Sequence, residues 1–351
     1  MKPCGPVIDA AAAERAREAI GPSPLVDAAW PALAPIFAAA PYLARLAGRQ
    51  PEVLAALLAS DPDAASRELL AQTRRVPLEP ASGAAQLRRL KARAHLLSAL
   101  CDLGGVWDLD AVTGLLTRFA DESVRAALSL GTRALADRFA WTADGANPAP
   151  GFFVLALGKM GAFELNYSSD IDISIFFDPD LLPCAPGVDP GALAVRLTQQ
   201  VAQILADRTV DGYVFRVDLR LRPDPLSTPP AVPIEQAYEY YESVGQNWER
   251  AAMIKARVCA GDEALGAAFL DELAAFVWRR NLDFAAIADI HSIKRQIQEL
   301  RPDARMAARG ADLKLGPGGI REIEFFVQTQ QLILGGRQPA LRSPRTLDAL
   351  Q

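Results

Sequence analysis

Residues 158–173 read GKMGAFELNYSSDIDI, and residues 217–219 read Val-Asp-Leu. Asp170 and Asp172 alternate with Ile171, Ile173 and Ile175. That is the period of two of a β-strand, in which residues i and i+2 point to one face. Two carboxylates side by side repel each other and cost free energy to bury. A divalent cation resolves the conflict, and Asp218, inside a second apolar run, offers a third oxygen ligand. Asp170, Asp172 and Asp218 are therefore the expected metal ligands and the expected catalytic residues. The competing reading is a turn or exposed strand that carries acids by chance.

The residues on either side extend this picture. Phe152–Leu157 is a short apolar run bounded by glycines, as expected of a buried strand. It leads into Gly158-Lys159-Met160-Gly161. No G-x-x-x-x-G-K-[ST] loop is present. A strand entering a glycine-rich turn still presents backbone N–H groups to phosphate. Gly158, Lys159, Ser168 and Ser169 are accordingly candidate nucleotide contacts. A plain turn that needs glycine for positive φ is the alternative. Ile171–Phe177 reads as a second strand, Ala192–Asp207 as an amphipathic helix and Tyr213–Leu221 as a third strand. In that third strand Phe215, Val217, Leu219 and Leu221 would share one face, and Arg216, Asp218, Arg220 and Arg222 the other. Arg220 and Arg222 either contact phosphate through forked hydrogen bonds or pair with the acids. The expected fold is α+β, a small mixed sheet with flanking helices.

Before this core, residues 1 to about 140 read as helices rich in alanine and leucine. Leu87, Leu90, Ala94, Leu97 and Leu100 form an apolar stripe, while the basic run at 88–93 and Arg74-Arg75 read as solvated faces. Pro41 and Asp61-Pro62 read as helix starts. Thr142–Pro150 reads as a linker. After the proline-rich turn beyond Pro223 the chain is expected to return to helix from about Ile234 onward. In QNWERAAMIKAR, Arg250 and Arg257 would share a solvated helix face. Gly316, Gly318 and Gly319 precede a helix with Ile320, Ile323, Phe326 and Val327 on its apolar face. That entry could bind an anion with help from Lys314 and Arg321, or be a tight turn with Glu322 and Glu324 at the helix start. The expected divisions are a helical region at 1–145, a catalytic core at 146–232 and a helical region at 233–351. The closing residues LRSPRTLDALQ suggest a fragment of something longer.

Composition limits the function classes. The 351 residues are half apolar and carry a net charge of −5, so a general polyanion binder is excluded and no nucleic-acid partner is expected. Four widely spaced cysteines and two histidines, His95 and His291, argue against zinc or a disulfide framework. No signal peptide or membrane-spanning run is visible, so a cytoplasmic location is expected.

Taken in order, GKMGAFELNYSSDIDI, RVDLRLRP, NWERAAMIKAR and GPGGIREIEF resemble the bifunctional glutamine synthetase adenylyltransferase/adenylyl-removing enzymes, from about Gly151 to Gly336. The resemblance implies a polymerase-β-like nucleotidyltransferase fold. It maps Asp170, Asp172 and Asp218 onto that family's metal-binding acids, holding two Mg²⁺ ions. The helical lead-in followed by one copy of the motifs resembles the N-terminal, adenylyl-removing half. The implied reaction is attack of inorganic phosphate on adenylyl-tyrosine of glutamine synthetase, giving ADP and the restored tyrosine. The implied partners are glutamine synthetase and the PII signalling protein. Two alternatives stay open at this point: ATP-dependent transfer of AMP to a glutamine synthetase tyrosine, and a non-catalytic nucleotide-sensing module.

Overall fold

A computed structural model describes residues 1–139, 141, 147–280, 312–314, 316 and 318–351. Two compact units are present, each assembled from several segments. The first comprises Met1–Thr142, Phe163–Asp170 and Gln199–Val217, and the second Ala143–Ala162, Ile171–Thr198 and Asp218–Gln351. Most of the expected linker Thr142–Pro150, with the boundary at 145/146, lies outside the described residues, as do His291 and much of the region after Arg280.

The first unit is built on helices α1 (Ala10–Ile20), α2 (Pro24–Ala39), α3 (Pro41–Arg49), α4 (Pro51–Ala59), α5 (Pro62–Arg74), α6 (Pro80–Leu103) and α7 (Leu109–Phe139). Proline opens five of them, where its missing N–H costs nothing. Asp9, Ser23 and Asp61 cap the starts of α1, α2 and α5 by accepting backbone N–H bonds. On α6, Leu87, Leu90, Ala94, Leu97 and Leu100 are all buried. Each such leucine contributes about 1.5–3 kcal/mol. The basic run behaves differently from the solvated face expected of it, since Arg88 and Lys91 are also buried. Their donors are taken by backbone carbonyls of Asp207 and Tyr213. Cys101 lies buried at the end of α6.

The second unit carries the sheet. In chain order come β1 (Phe152–Ala156), the one-turn helix α8 (Gly158–Gly161), β2 (Ile171–Phe177), α9 (Pro190–Ala206), β3 (Val217–Asp218), β4 (Ala231–Pro233), α10 (Ile234–Ser243), α11 (Asn247–Met253), β5 (Arg257–Gly261) and α12 (Glu263–Val277), with α9 from Gln199 onward and Val217 of β3 counted in the first unit. Then follow α13 (Ile320–Leu334) and α14 (Thr346–Ala349). Among the described residues the sheet order is β3-β2-β1-β5, with β4 parallel to β2 and β1 antiparallel to both β2 and β5. This is the mixed sheet of an α+β unit. Phe153, Phe176 and Phe269 meet at its centre with ring centroids 4.6–5.7 Å apart. Gly266 on α12 approaches so closely that a Cβ there would lie 3.0 Å from the Phe153 ring.

The expected third strand shrinks to Val217–Asp218. Upstream, the N–H groups of Val214 and Phe215 both donate to the carbonyl of Leu205 rather than to a neighbouring strand. Downstream, Arg220 N donates to Asp218 Oδ1 and turns the chain. Two strands read as helix or turn in the sequence are β4 and β5. Arg257–Gly261 becomes a strand because it pairs with β1, a long-range contact that no local pattern announces. Cys259 on β5 is fully buried. Arg250 and Arg257 consequently share no helix face, because α11 ends at Met253. Among the described residues no helix is long and apolar enough to cross a membrane.

Candidate active site

The glycine turn is fixed from both sides. Gly158 has φ +52°, and a Cβ there would lie 2.6 Å from Asp172 Oδ2, so the carboxylate of Asp172 rests against the glycine backbone. Leu157 N donates to Asp172 O at 2.9 Å. Gly161 leaves even less room, since its Cβ would sit 1.9 Å from the carbonyl oxygen of Lys255. Arg257 closes the turn by donating Nε to Gly161 O (3.1 Å) and Nη2 to Met160 O (3.0 Å). Lys159 is half-buried between these anchors.

Asp172 is half-buried on β2 between the fully buried Ile171 and Ile173. Asp218, on the adjacent β3, is held by a fork. Arg220 Nε reaches Asp218 Oδ1 and Oδ2, each at 3.0 Å, and Arg220 Nη2 reaches Oδ2. These hydrogen bonds hold the Asp218 carboxyl below its ordinary pKa. Asp170 is exposed and stands one residue before β2 starts, so it is not a strand partner of Asp172. A turn precedes it, with Ser169 Oγ donating to Asn166 Oδ1 at 2.9 Å. Ser168 O accepts from Arg216 Nη2 at 2.5 Å. Ser168, Ser169 and Asp170 belong to the first unit, and Gly158, Lys159, Asp172, Asp218, Arg220 and Arg222 to the second.

Arg222 serves a different purpose from its neighbour. Its guanidinium donates to the carbonyls of Leu219, Pro225, Thr228 and Pro229, so it organises the proline-rich loop. Burial lowers its pKa.

Among the described residues no group of three or more His, Cys, Asp or Glu side chains is arranged to hold a metal ion. The donor chemistry nevertheless suits a hard divalent cation, because Asp172 and Asp218 offer only oxygens, on paired strands. The Arg220 side chain is 81% exposed, so releasing Asp218 from it costs little.

Sequence reasoning missed three polar side chains that build this region. Arg250, read as a solvated helix face, is fully buried. It donates to Phe276 O and Val277 O, each at 3.0 Å, and to Asn247 Oδ1 at 2.6 Å. Burial pushes its pKa down to about 10. Lys255 is buried and pairs with Glu324 of α13, with Thr346 Oγ1 3.2 Å away. Arg257 clasps the glycine turn. The signal was the density of charge in NWERAAMIKAR beside apolar residues, which suits buried partners as well as solvent. At the start of α13, Gly318 N donates to Glu322 Oε2 at 2.7 Å, so that turn caps its own helix. Glu324 serves Lys255 instead of the helix start. The expected apolar face is only partly buried: Val327 is buried, whereas Ile320, Ile323 and Phe326 are exposed.

Comparison with known proteins places these features in a family. The model described as glutamate-ammonia ligase adenylyltransferase matches residues 30–272. A second, described as GlnD PII-uridylyltransferase, matches residues 291–351, of which 291–311, 315 and 317 lie outside the described residues. Three similar proteins all bear the name bifunctional glutamine synthetase adenylyltransferase/adenylyl-removing enzyme. That of Caulobacter vibrioides is 63% identical over 361 residues, covering 100% of this chain and 37% of the relative. That of Bradyrhizobium diazoefficiens is 54% identical over 88% of this chain and 32% of its own length. That of Rhodopseudomonas palustris strain HaA2 is 50% identical over 91% and 33%. The chain thus spans about a third of the length of these relatives. With a family model matched across most of its length, the chain belongs to the glutamate-ammonia ligase adenylyltransferases, a nucleotidyltransferase family.

Proposed function

We propose that this chain removes AMP from adenylylated glutamine synthetase by phosphorolysis, on a polymerase-β-like catalytic core spanning about 146–232 and completed by 233–351. The observation that carries the reading is the carboxylate of Asp172 seated on the Gly158 backbone, one strand from Asp218, in a chain of this family. The direction is inferred from the resemblance of the helical lead-in and its motifs to the adenylyl-removing half. The PII signalling protein is the proposed regulatory partner, and the match at 291–351 supports it.

Asp170, Asp172 and Asp218 would hold Mg²⁺, which supplies charge neutralisation for the attacking and leaving oxygens when bound. Gly158 and Lys159 face the phosphates, and Ser168, with Ser169 once its hydroxyl turns from Asn166, adds hydroxyl donors. Arg220, once turned from Asp218, offers a forked donor pair to phosphate. Arg222 contributes by shaping the loop that follows β3. In the step itself an oxygen of hydrogen phosphate bonds to the adenylyl phosphorus and the tyrosyl oxygen–phosphorus bond breaks. ADP leaves, and the proton that phosphate carried ends on the tyrosyl oxygen. Positioning and electrostatic stabilisation supply most of the rate.

The test is incubation of the chain with adenylylated glutamine synthetase, Mg²⁺ and phosphate. ADP release with recovery of unmodified glutamine synthetase is expected. Incorporation of labelled AMP from ATP, without phosphorolysis, would assign the opposite direction. Nucleotide binding without either reaction would leave a sensing module.

A further inference from the structure

Helix α6 carries polar residues that reach into the segments flanking the candidate site. Arg88, Lys91, His95 and Asp102 fall at i, i+3, i+7 and i+14, a spacing that puts them on one helix face. Arg88 Nε donates to Asp207 O at 3.3 Å. Lys91 Nζ donates to Tyr213 O at 3.1 Å and stands 3.8 Å from the centre of the Tyr213 ring. The rings of His95 and Tyr167 meet edge to face at 6.4 Å. Asp102 Oδ2 accepts the Tyr167 hydroxyl at 2.8 Å. One residue further on, Arg216 Nη2 donates to Ser168 O. Helix α7 adds Thr117 Oγ1, which accepts from Leu165 N at 3.3 Å, and Phe119, packed 5.9 Å from Phe215.

Arg88, Lys91 and His95 are buried, which costs free energy that a leucine there would not. What this polar stripe gives in return is a fixed path for residues 207–213, through Arg88 and Lys91, and for Tyr167, through His95 and Asp102. We propose that the stripe is a positioning device, with Tyr167 as the positioning residue that sets the Ser168-Ser169-Asp170 backbone for adenylyl transfer. The inference rests on the functional reading of those three residues given above. Burial, reinforced by the hydrogen bond to Asp102, raises the Tyr167 phenol far above its ordinary range, so it stays a donor. Burial, with Lys91 nearby, pushes His95 down to about 3, so it stays neutral beside Tyr42, whose hydroxyl lies 3.0 Å from His95 Nδ1.

Tyr167→Phe in the full chain keeps the ring and loses the donor. Its kcat is expected to fall about tenfold with the KM values for phosphate and adenylylated glutamine synthetase unchanged. Its Tm should stay within about 2 °C of wild type. Amide exchange at Leu165 and Ser169, whose N–H groups donate to Thr117 Oγ1 and Asn166 O, should quicken about tenfold, a local opening that a global structural role would not produce. Asp102→Asn, which retains an acceptor oxygen, should keep the wild-type rate, and Asp102→Ala should match Tyr167→Phe. A Tyr167→Phe chain with wild-type kcat, or with wild-type exchange at those amides, overturns the proposal. If the wild-type chain shows no phosphorolysis, the functional reading fails, and exchange alone then upholds or defeats the tether.

Discussion

Gly158 shows how one missing methyl group sets the geometry of the candidate site. Its φ of +52° strains any L side chain, and the carboxylate of Asp172 occupies the place a Cβ would take. Gly158→Ala should therefore push Asp172 off the turn and lower turnover at least about a hundredfold, because misplacement by about 1 Å costs that much. Steady-state phosphorolysis kinetics on folded protein would check it. Asp172→Asn makes a complementary case. Turnover should be abolished while thermal stability holds or rises, since a half-buried charge is removed. An Asp172→Asn chain that still turns over would show that the acid is not part of the site. Arg250 is the opposite kind of residue, a buried cation whose contacts lie on the carbonyls of Phe276 and Val277. Arg250→Met leaves those carbonyls unpaired and should cost about 3 kcal/mol in urea unfolding.

At the scale of elements, β1 was legible as a short apolar run bounded by glycines, β2 by the alternation of isoleucines with Asp172 and Ser174, and α9 by its helical period. That Asp172 and Asp218 lie on strands was legible because each interrupts an apolar run, whereas Asp170, read as their strand companion, stands one residue before β2. Strands β4 and β5 were not, since Ala231–Pro233 and Arg257–Gly261 become strands only through partners far away in the chain. The charged stretches misled for a related reason. Arg88, Lys91 and Arg250 look like solvent-facing helix residues until the carbonyls that receive them are known. Helix α6 offers a quantitative check. Burial, with Arg216 nearby, pushes Lys91 from 10.5 down to about 8. Below that value the fold carries a charged, desolvated lysine; between about 8 and 10.5 only the unfolded chain keeps the proton, so stability rises with pH across that window. The gap corresponds to a net cost of about 3 kcal/mol for the charged form. Lys91→Met relieves that cost but leaves Tyr213 O without its donor, a loss of about 2 kcal/mol, so it should be about 1 kcal/mol more stable than wild type at pH 7. Its advantage should vanish above about pH 10.5, as read by denaturant melts across that range.

Over the whole molecule, the net charge of −5 is set against local cation density at Arg216, Arg220 and Arg222. Ligand linkage connects that density to stability. ADP with Mg²⁺ at about a hundred times its Kd should stabilise the chain by about 2.7 kcal/mol. The resulting rise in Tm should disappear in Asp172→Asn. A rise that survives the substitution would place the nucleotide elsewhere.

Each compact unit also contains its own silent clock. Cys101 is buried in the first and Cys259 in the second, while Cys4 is exposed and Cys184 half-exposed. Burial pushes the Cys101 thiol up to about 12, which further slows its alkylation. Maleimide should therefore consume Cys4 and Cys184 at once, then wait on opening at each remaining thiol. Mass spectrometry of the two slow adducts would time the breathing of either unit separately, in the unmutated chain.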